Sequence, residues 1–188
     1  MPHCRYDVLQ NGAEGSPVST AKVGDTLYHK WSCKDDFLKE MYCMTIVSCY
    51  VDDGSSNSFE LIDQNGCAKD PILLEDLTYY SDLSAGVETV AFKYADKPSV
   101  FFQCRVSLSL KHEHENEICP RPKCNAAEKF RVKRDNRDPF SENDTDSSTP
   151  VATFDLDSPK LTILDVDDEY SRRLEQQQQN SKKNSSKI

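Results

Sequence analysis

The sequence predicts an all-β sandwich over the first two-thirds of the chain, followed by a disordered acidic tail. Three observations carry this. Apolar and polar residues alternate with period two in several short segments, the pattern of half-buried strands. Turn-forming pairs such as Asp53-Gly54 and Asn65-Gly66 separate those segments. All eight cysteines lie between Cys4 and Cys124 of a chain of 188 residues.

Taken in order, the first strand is expected at Thr26–Cys33. The next is Cys43–Val51, with Cys43, Thr45, Val47, Cys49 and Val51 on one face. Asp52-Asp53-Gly54 then supplies turn chemistry. Ser58–Asp63 follows, closed by Asn65-Gly66, where both residues tolerate positive φ. Asp70–Leu77 has Pro71 at a plausible first turn and apolar residues at 73, 74 and 77, so one short helix is expected there. Val87–Tyr94 is a further strand. The clearest is Ser99–Leu110, with Val100, Phe102, Cys104, Val106, Leu108 and Leu110 on one face. Cys104 therefore points inward, toward a bridge to an opposing sheet. Short strands with frequent turns over about 120 residues suit one sandwich.

The tail changes character. From Asp135 it holds 7 basic and 12 acidic residues and three aromatics, Phe140, Phe154 and Tyr170. Such a composition buries too little apolar area to offset chain entropy. The expected division is a domain at 1–124, a linker at 125–134 and a disordered tail at 135–188.

Composition also narrows function. The net charge of -9 repels phosphate backbones, so nucleic-acid binding is disfavoured. No window approaches 18 uninterrupted apolar residues, so no membrane-spanning helix is expected. Eight cysteines, an even count, read as a disulfide framework in an oxidising compartment. Zinc would need Cys-x2-4-Cys pairs or matched histidines, and Cys119 and Cys124 have no second knuckle. His112 and His114 would share a face on a strand, but no third ligand is placed, and an exposed polar loop is the favoured reading. No nucleophile elbow, phosphate-cradling glycine loop or paired acid–base constellation is present, so no catalytic residue, cofactor or small-molecule substrate is expected. The cysteines point outside the cell, yet the start shows no signal-peptide pattern. Met1 is therefore expected not to be the natural start.

Several motifs in order resemble the zona pellucida (ZP) domain family, most of all its nematode cuticlins. They are Met1-Pro2-His3-Cys4-Arg5-Tyr6, Tyr28-His29-Lys30-Trp31-Ser32-Cys33, and Ser48-Cys49-Tyr50-Val51-Asp52-Asp53-Gly54. Asn65-Gly66-Cys67, Tyr94-Ala95-Asp96, Phe101-Phe102-Gln103-Cys104 and Cys119-Pro120-Arg121-Pro122-Lys123-Cys124 complete the set. The match covers residues 1–124, the C-terminal half of a ZP module; the N-terminal half would lie upstream of Met1.

The resemblance implies an immunoglobulin-like β-sandwich, though Trp31 precedes both Cys49 and Cys104 instead of lying between them. It implies the pairs Cys49–Cys104 and Cys67–Cys124. Eight cysteines allow 105 connectivities. Cys33–Cys43 is taken as a local loop and Cys4–Cys119 follows by elimination.

It further implies a structural, non-enzymatic component of an apical extracellular matrix or cuticle. Such a component polymerises with other ZP-module proteins after a furin-like protease releases a C-terminal propeptide. A membrane-anchored precursor is implied too, although no anchor follows Tyr170. The alternative is an ectodomain module that binds one protein partner without forming filaments. Arg131-Val132-Lys133-Arg134 has the Arg-x-Lys-Arg form such proteases read, at the expected order–disorder boundary. The apolar patch of Leu161, Ile163, Leu164 and Val166 corresponds to the family's masking patch, which caps the module as an added strand. Asn143 and Asn184 begin N-glycosylation sequons.

Overall fold

The computed structural model describes residues 3–34, 41–55, 57–111, 119–124 and 150–165. These residues form eleven strands: β1 His3–Gln10, β2 Ser16–Pro17, β3 Thr20–Lys22, β4 Thr26–Lys34, β5 Tyr42–Asp52, β6 Ser58–Ile62, β7 Thr78–Ser81, β8 Ser84–Val90, β9 Ser99–Leu110, β10 Ala152–Asp157 and β11 Leu161–Leu164. They make two sheets packed as a sandwich. One runs β2-β1-β4-β8-β7; the other runs β3-β11-β9-β5-β6, with β10 also paired to β9.

The core lies between the sheets. From the first come Tyr6, Val8, Leu27, Trp31, Ala85 and Val87; from the second come Met44, Ile46, Val100, Phe102, Val106 and Leu108. Tyr6 and Trp31 are directly opposed across β1 and β4. Their rings stack at 4.7 Å and 9°, so cross-strand pairing and aromatic packing act on one contact.

The expected alternation of β9 holds from Val100 to Leu108 and then breaks, with Ser109 buried and Leu110 exposed. On β5 the single face expected for Cys43 through Val51 is divided. The register to β9 shifts between Ile46 and Ser48, leaving Val47 as an extra residue. A bulge reverses the phase of side chains beyond it. Met44 and Ile46 therefore face the core before it, and Cys49 and Val51 after it.

The helix expected at Asp70–Leu77 is a single turn. Leu73 and Leu74 N–H both donate to the Asp70 carbonyl. The segment goes no further because its polar groups are engaged elsewhere. Asp70 accepts from the Ile72 N–H at 2.9 Å, Thr89 Oγ1 donates to the Leu73 carbonyl, and Asp76 accepts from the Ala68 N–H. In the turn after β6, Gly66 has φ of +82°. A Cβ there would lie 2.7 Å from the Ile46 carbonyl oxygen and 2.8 Å from Pro122 Cγ, so glycine is required twice over.

Four disulfides link the described residues. Cys49–Cys104 and Cys67–Cys124 are the two pairs the resemblance implied. Cys49–Cys104 does not cross between sheets, because the two residues are direct partners on neighbouring β5 and β9, with Cα atoms 4.0 Å apart. The remaining two pairs differ from expectation. Cys4 binds Cys33, its direct opposite across β1 and β4 at a Cα separation of 3.9 Å. Cys43 lies in the other sheet and binds Cys119 at 5.4 Å, a normal span for a bridge. Cys43 sits on the side of β5 away from Met44 and Ile46, yet both it and Cys119 are about 1% exposed. The 119–124 segment covers it, held where Arg121 donates to the Ser81 carbonyl and Asp82 and lies 4.6 Å over the Tyr79 ring.

Candidate functional site

The long strand β9 has two edges. β5 occupies one along nearly its whole length, from Tyr42 opposite Leu110 to Asp52 opposite Phe101. The other is filled by residues from the far side of the expected domain boundary. β10 runs antiparallel to it from Ala152 opposite Leu108 to Asp157 opposite Gln103. β11 pairs with it at Leu161–Val100 and Thr162–Ser99, and runs parallel to β3 on its other side. The 150–165 segment is thus a strap along β9, with β11 inserted between β3 and β9, and the sandwich extends past residue 124.

The sequence of the strap explains how it docks. In β10, Phe154 and Leu156 turn inward and pack on the core as half-buried side chains, while Thr153, Asp155 and Asp157 face solvent. In β11, Leu161 and Ile163 are each 1% exposed. Burying two such side chains contributes roughly 1.5–3 kcal/mol each. Ser158 closes the gap between the two strands. Its N–H donates to the Phe102 carbonyl at 2.7 Å and its Oγ accepts from the Phe102 N–H at 3.0 Å. At the ends, Val151 donates to the Leu108 carbonyl, Ile163 to Pro98, and Val23 to the Leu164 carbonyl.

Two charge pairs frame the strap. Arg105 donates to Asp155 through Nε at 2.8 Å and through a terminal nitrogen at 3.3 Å, a two-point contact. This holds the Asp155 carboxyl below its ordinary range. Lys93 meets Asp165 at 3.0 Å, with the lysine side chain only 13% exposed. Beside the first pair, Gln103 donates to Asp157 at 2.9 Å.

Of the expected masking patch, Leu161 and Ile163 are core residues and Leu164 is half-buried between β3 and solvent. Val166 lies outside the described residues, as do Arg131, Val132, Lys133, Arg134, His112, His114, Asn143 and Asn184. Cys67, Asp76 and Cys124 bring three donor atoms within 4.8 Å of one another. Their sulfurs are bonded to each other, so the group offers no thiolate to a cation.

β10 went unread in the sequence, although Ala-Thr-Phe-Asp-Leu-Asp alternates perfectly at period two. His29 was missed as well. It is 1% exposed, edge-on to Phe102 at 4.8 Å, and its Nδ1 is hydrogen-bonded to the Tyr6 hydroxyl. Burial lowers its pKa to about 3. The alternation Leu27-His29-Trp31-Cys33, all buried, was the available signal.

Fold and site together define a class: a disulfide-braced, immunoglobulin-like β-sandwich whose open edge is completed by its own downstream segment. Residues 1–128 match the family model of the cuticlin C-terminal domain, and the chain belongs to that family. It is 37% identical to Cuticlin-3 of Caenorhabditis elegans over 169 residues, covering 83% of this chain and 43% of that protein. To Cuticlin-1 of the same animal it is 38% identical, covering 69% of this chain and 30% of the relative. To Cuticlin-5 it is 41% identical, covering 66% and 31%. The chain therefore spans less than half the length of each. The match to Cuticlin-3 takes in more of the chain than residues 1–128, so that likeness reaches into the tail.

Proposed function

We propose that this chain is a structural, non-enzymatic component of a cuticle or comparable extracellular matrix. It assembles with other ZP-module proteins once the strap has left the β9 edge. One observation carries the reading: residues 152–164 occupy the second edge of β9 in the chain's own fold. A strand edge from Ser99 to Leu108 that lost this cover would present unpaired N–H and C=O groups, and such edges associate. The family membership and the cuticlin relatives support the matrix assignment.

The release step follows from chain order. Twenty-five residues separate Cys124 from Pro150, and Arg131-Val132-Lys133-Arg134 lies among them. A cut there by a furin-like protease turns the strap from a tethered segment into a separate peptide. Its hold then falls from an intramolecular to a bimolecular equilibrium. The four disulfides keep the rest of the sandwich intact meanwhile, each contributing roughly 2–4 kcal/mol.

The test is sedimentation and electron microscopy of the purified chain before and after cutting, with dilution to let the strap dissociate. Filaments or large assemblies only after strap loss support the proposal. Cut protein that stays monomeric while binding one partner would favour the ectodomain alternative.

A further inference from the structure

We infer that the uncovered β9 edge binds an extended acidic segment of another chain, one that sets carboxylates ten residues apart against Arg105 and Lys93. The reading rests on the proposal that the strap can leave. It adds what must take the strap's place.

The strap is a direct template for the occupant, because each of its features answers something fixed on the sandwich. Arg105 is exposed on the outer face of β9 and grips Asp155 at two points. Lys93 lies at the other end, mostly buried, with its ammonium against Asp165. Between them the edge accepts apolar side chains where Phe154 and Leu156 pack, and closes fully over Leu161 and Ile163. An occupant lacking the second carboxylate would leave Lys93, whose side chain is largely covered, without the anion it meets in the strap. A basic occupant would also repel Arg105. The required segment therefore alternates apolar and acidic residues, runs antiparallel to β9, and carries a second acid after an apolar pair.

The two charges contribute unequally. Arg105 and Asp155 are each 54% exposed, so their pair is screened by water and salt. It selects register and approach more than strength. Lys93, at 13%, is the more sheltered reader.

The test uses the full chain, nicked between residues 125 and 149 by limited proteolysis. Labelled peptides of residues 150–165 are added in excess, and their incorporation in place of the resident strap is followed. The expected result is that Asp155→Arg peptide enters about two- to fivefold less than the wild-type peptide at low salt, and Asp165→Arg peptide less still. Arg105→Glu protein should reverse the preference at residue 155; both partners there are exposed, so this variant leaves the core untouched. The difference at residue 155 should shrink in high salt. Equal incorporation of all peptides into both proteins would overturn the charge reading while leaving strap release standing. Incorporation of no peptide at all would overturn strap release, and this inference with it.

Discussion

Ser158 holds both backbone groups of Phe102, accepting from its N–H through Oγ and donating to its carbonyl through N–H. A residue that the sequence places in the tail thus completes the hydrogen bonding of a core strand. Phe102 is 3% exposed and Ser158 7%, so water has little access to replace either bond. Removing the hydroxyl should leave the Phe102 N–H buried and unpaired, at a cost of about 1–3 kcal/mol. Ser158→Ala is therefore expected to raise hydrogen exchange at Phe102 and loosen the strap. Unchanged protection at Phe102 would contradict this.

Ile163 anchors β11 from within the core. Ile163→Ala should destabilise the docked strap by about 2–5 kcal/mol. Exchange should quicken at residues paired to β11 on both sides, around Ala21 and Val100. The β4–β8 ladder should keep its protection, since it lies in the other sheet. Uniform loss across both sheets would mean that strap and sandwich unfold as one unit.

The bridges make a separate prediction. Peptide mapping of unreduced protein should recover Cys4–Cys33, Cys43–Cys119, Cys49–Cys104 and Cys67–Cys124. Cys119→Ser should free Cys43 and destabilise the protein by roughly 2–4 kcal/mol. Recovery of a Cys33–Cys43 peptide would refute the arrangement.

His29 makes stability depend on pH. Its folded pKa is lowered by burial to about 3, against an ordinary value of 6.5. The unfolded chain takes up a proton in that interval and the folded one does not. Its contribution to stability is therefore full above pH 6.5 and declines as pH falls toward 3, by on the order of 5 kcal/mol in total. Denaturant midpoints measured between pH 7 and pH 4 should drop more steeply for the natural chain than for His29→Gln. Parallel slopes would show that the charge is accommodated elsewhere.

Processing can be checked in secreting cells. Arg134→Ala should abolish the product that begins at Asp135, and leave the full-length chain as the secreted form. Identical fragments from both proteins would place the cut at another bond.

Much of the sandwich was legible because β9 alternates from Val100 to Leu108 and keeps that face in the core. β5 was legible as a strand but not in its facing, since one extra residue at Val47 exchanges its faces and no period detects a bulge in advance. The pairings of Cys4 and Cys43 depend on which strands become neighbours, a long-range fact that spacing along the chain does not carry. Within the tail, averaging hides one short stretch. The tail is polar overall, yet the short stretch from Ala152 to Leu164 has the alternation and two aliphatic anchors needed to join a sheet that supplies every other contact.

The last described residue before the interval between domain and strap is Cys124, and it is riveted to Cys67 on the loop after β6. A break anywhere downstream would therefore meet a rip-stop: the new end cannot peel back into the body, because the seam is locked at its final stitch. Severing the chain there would open no path for an unravelling.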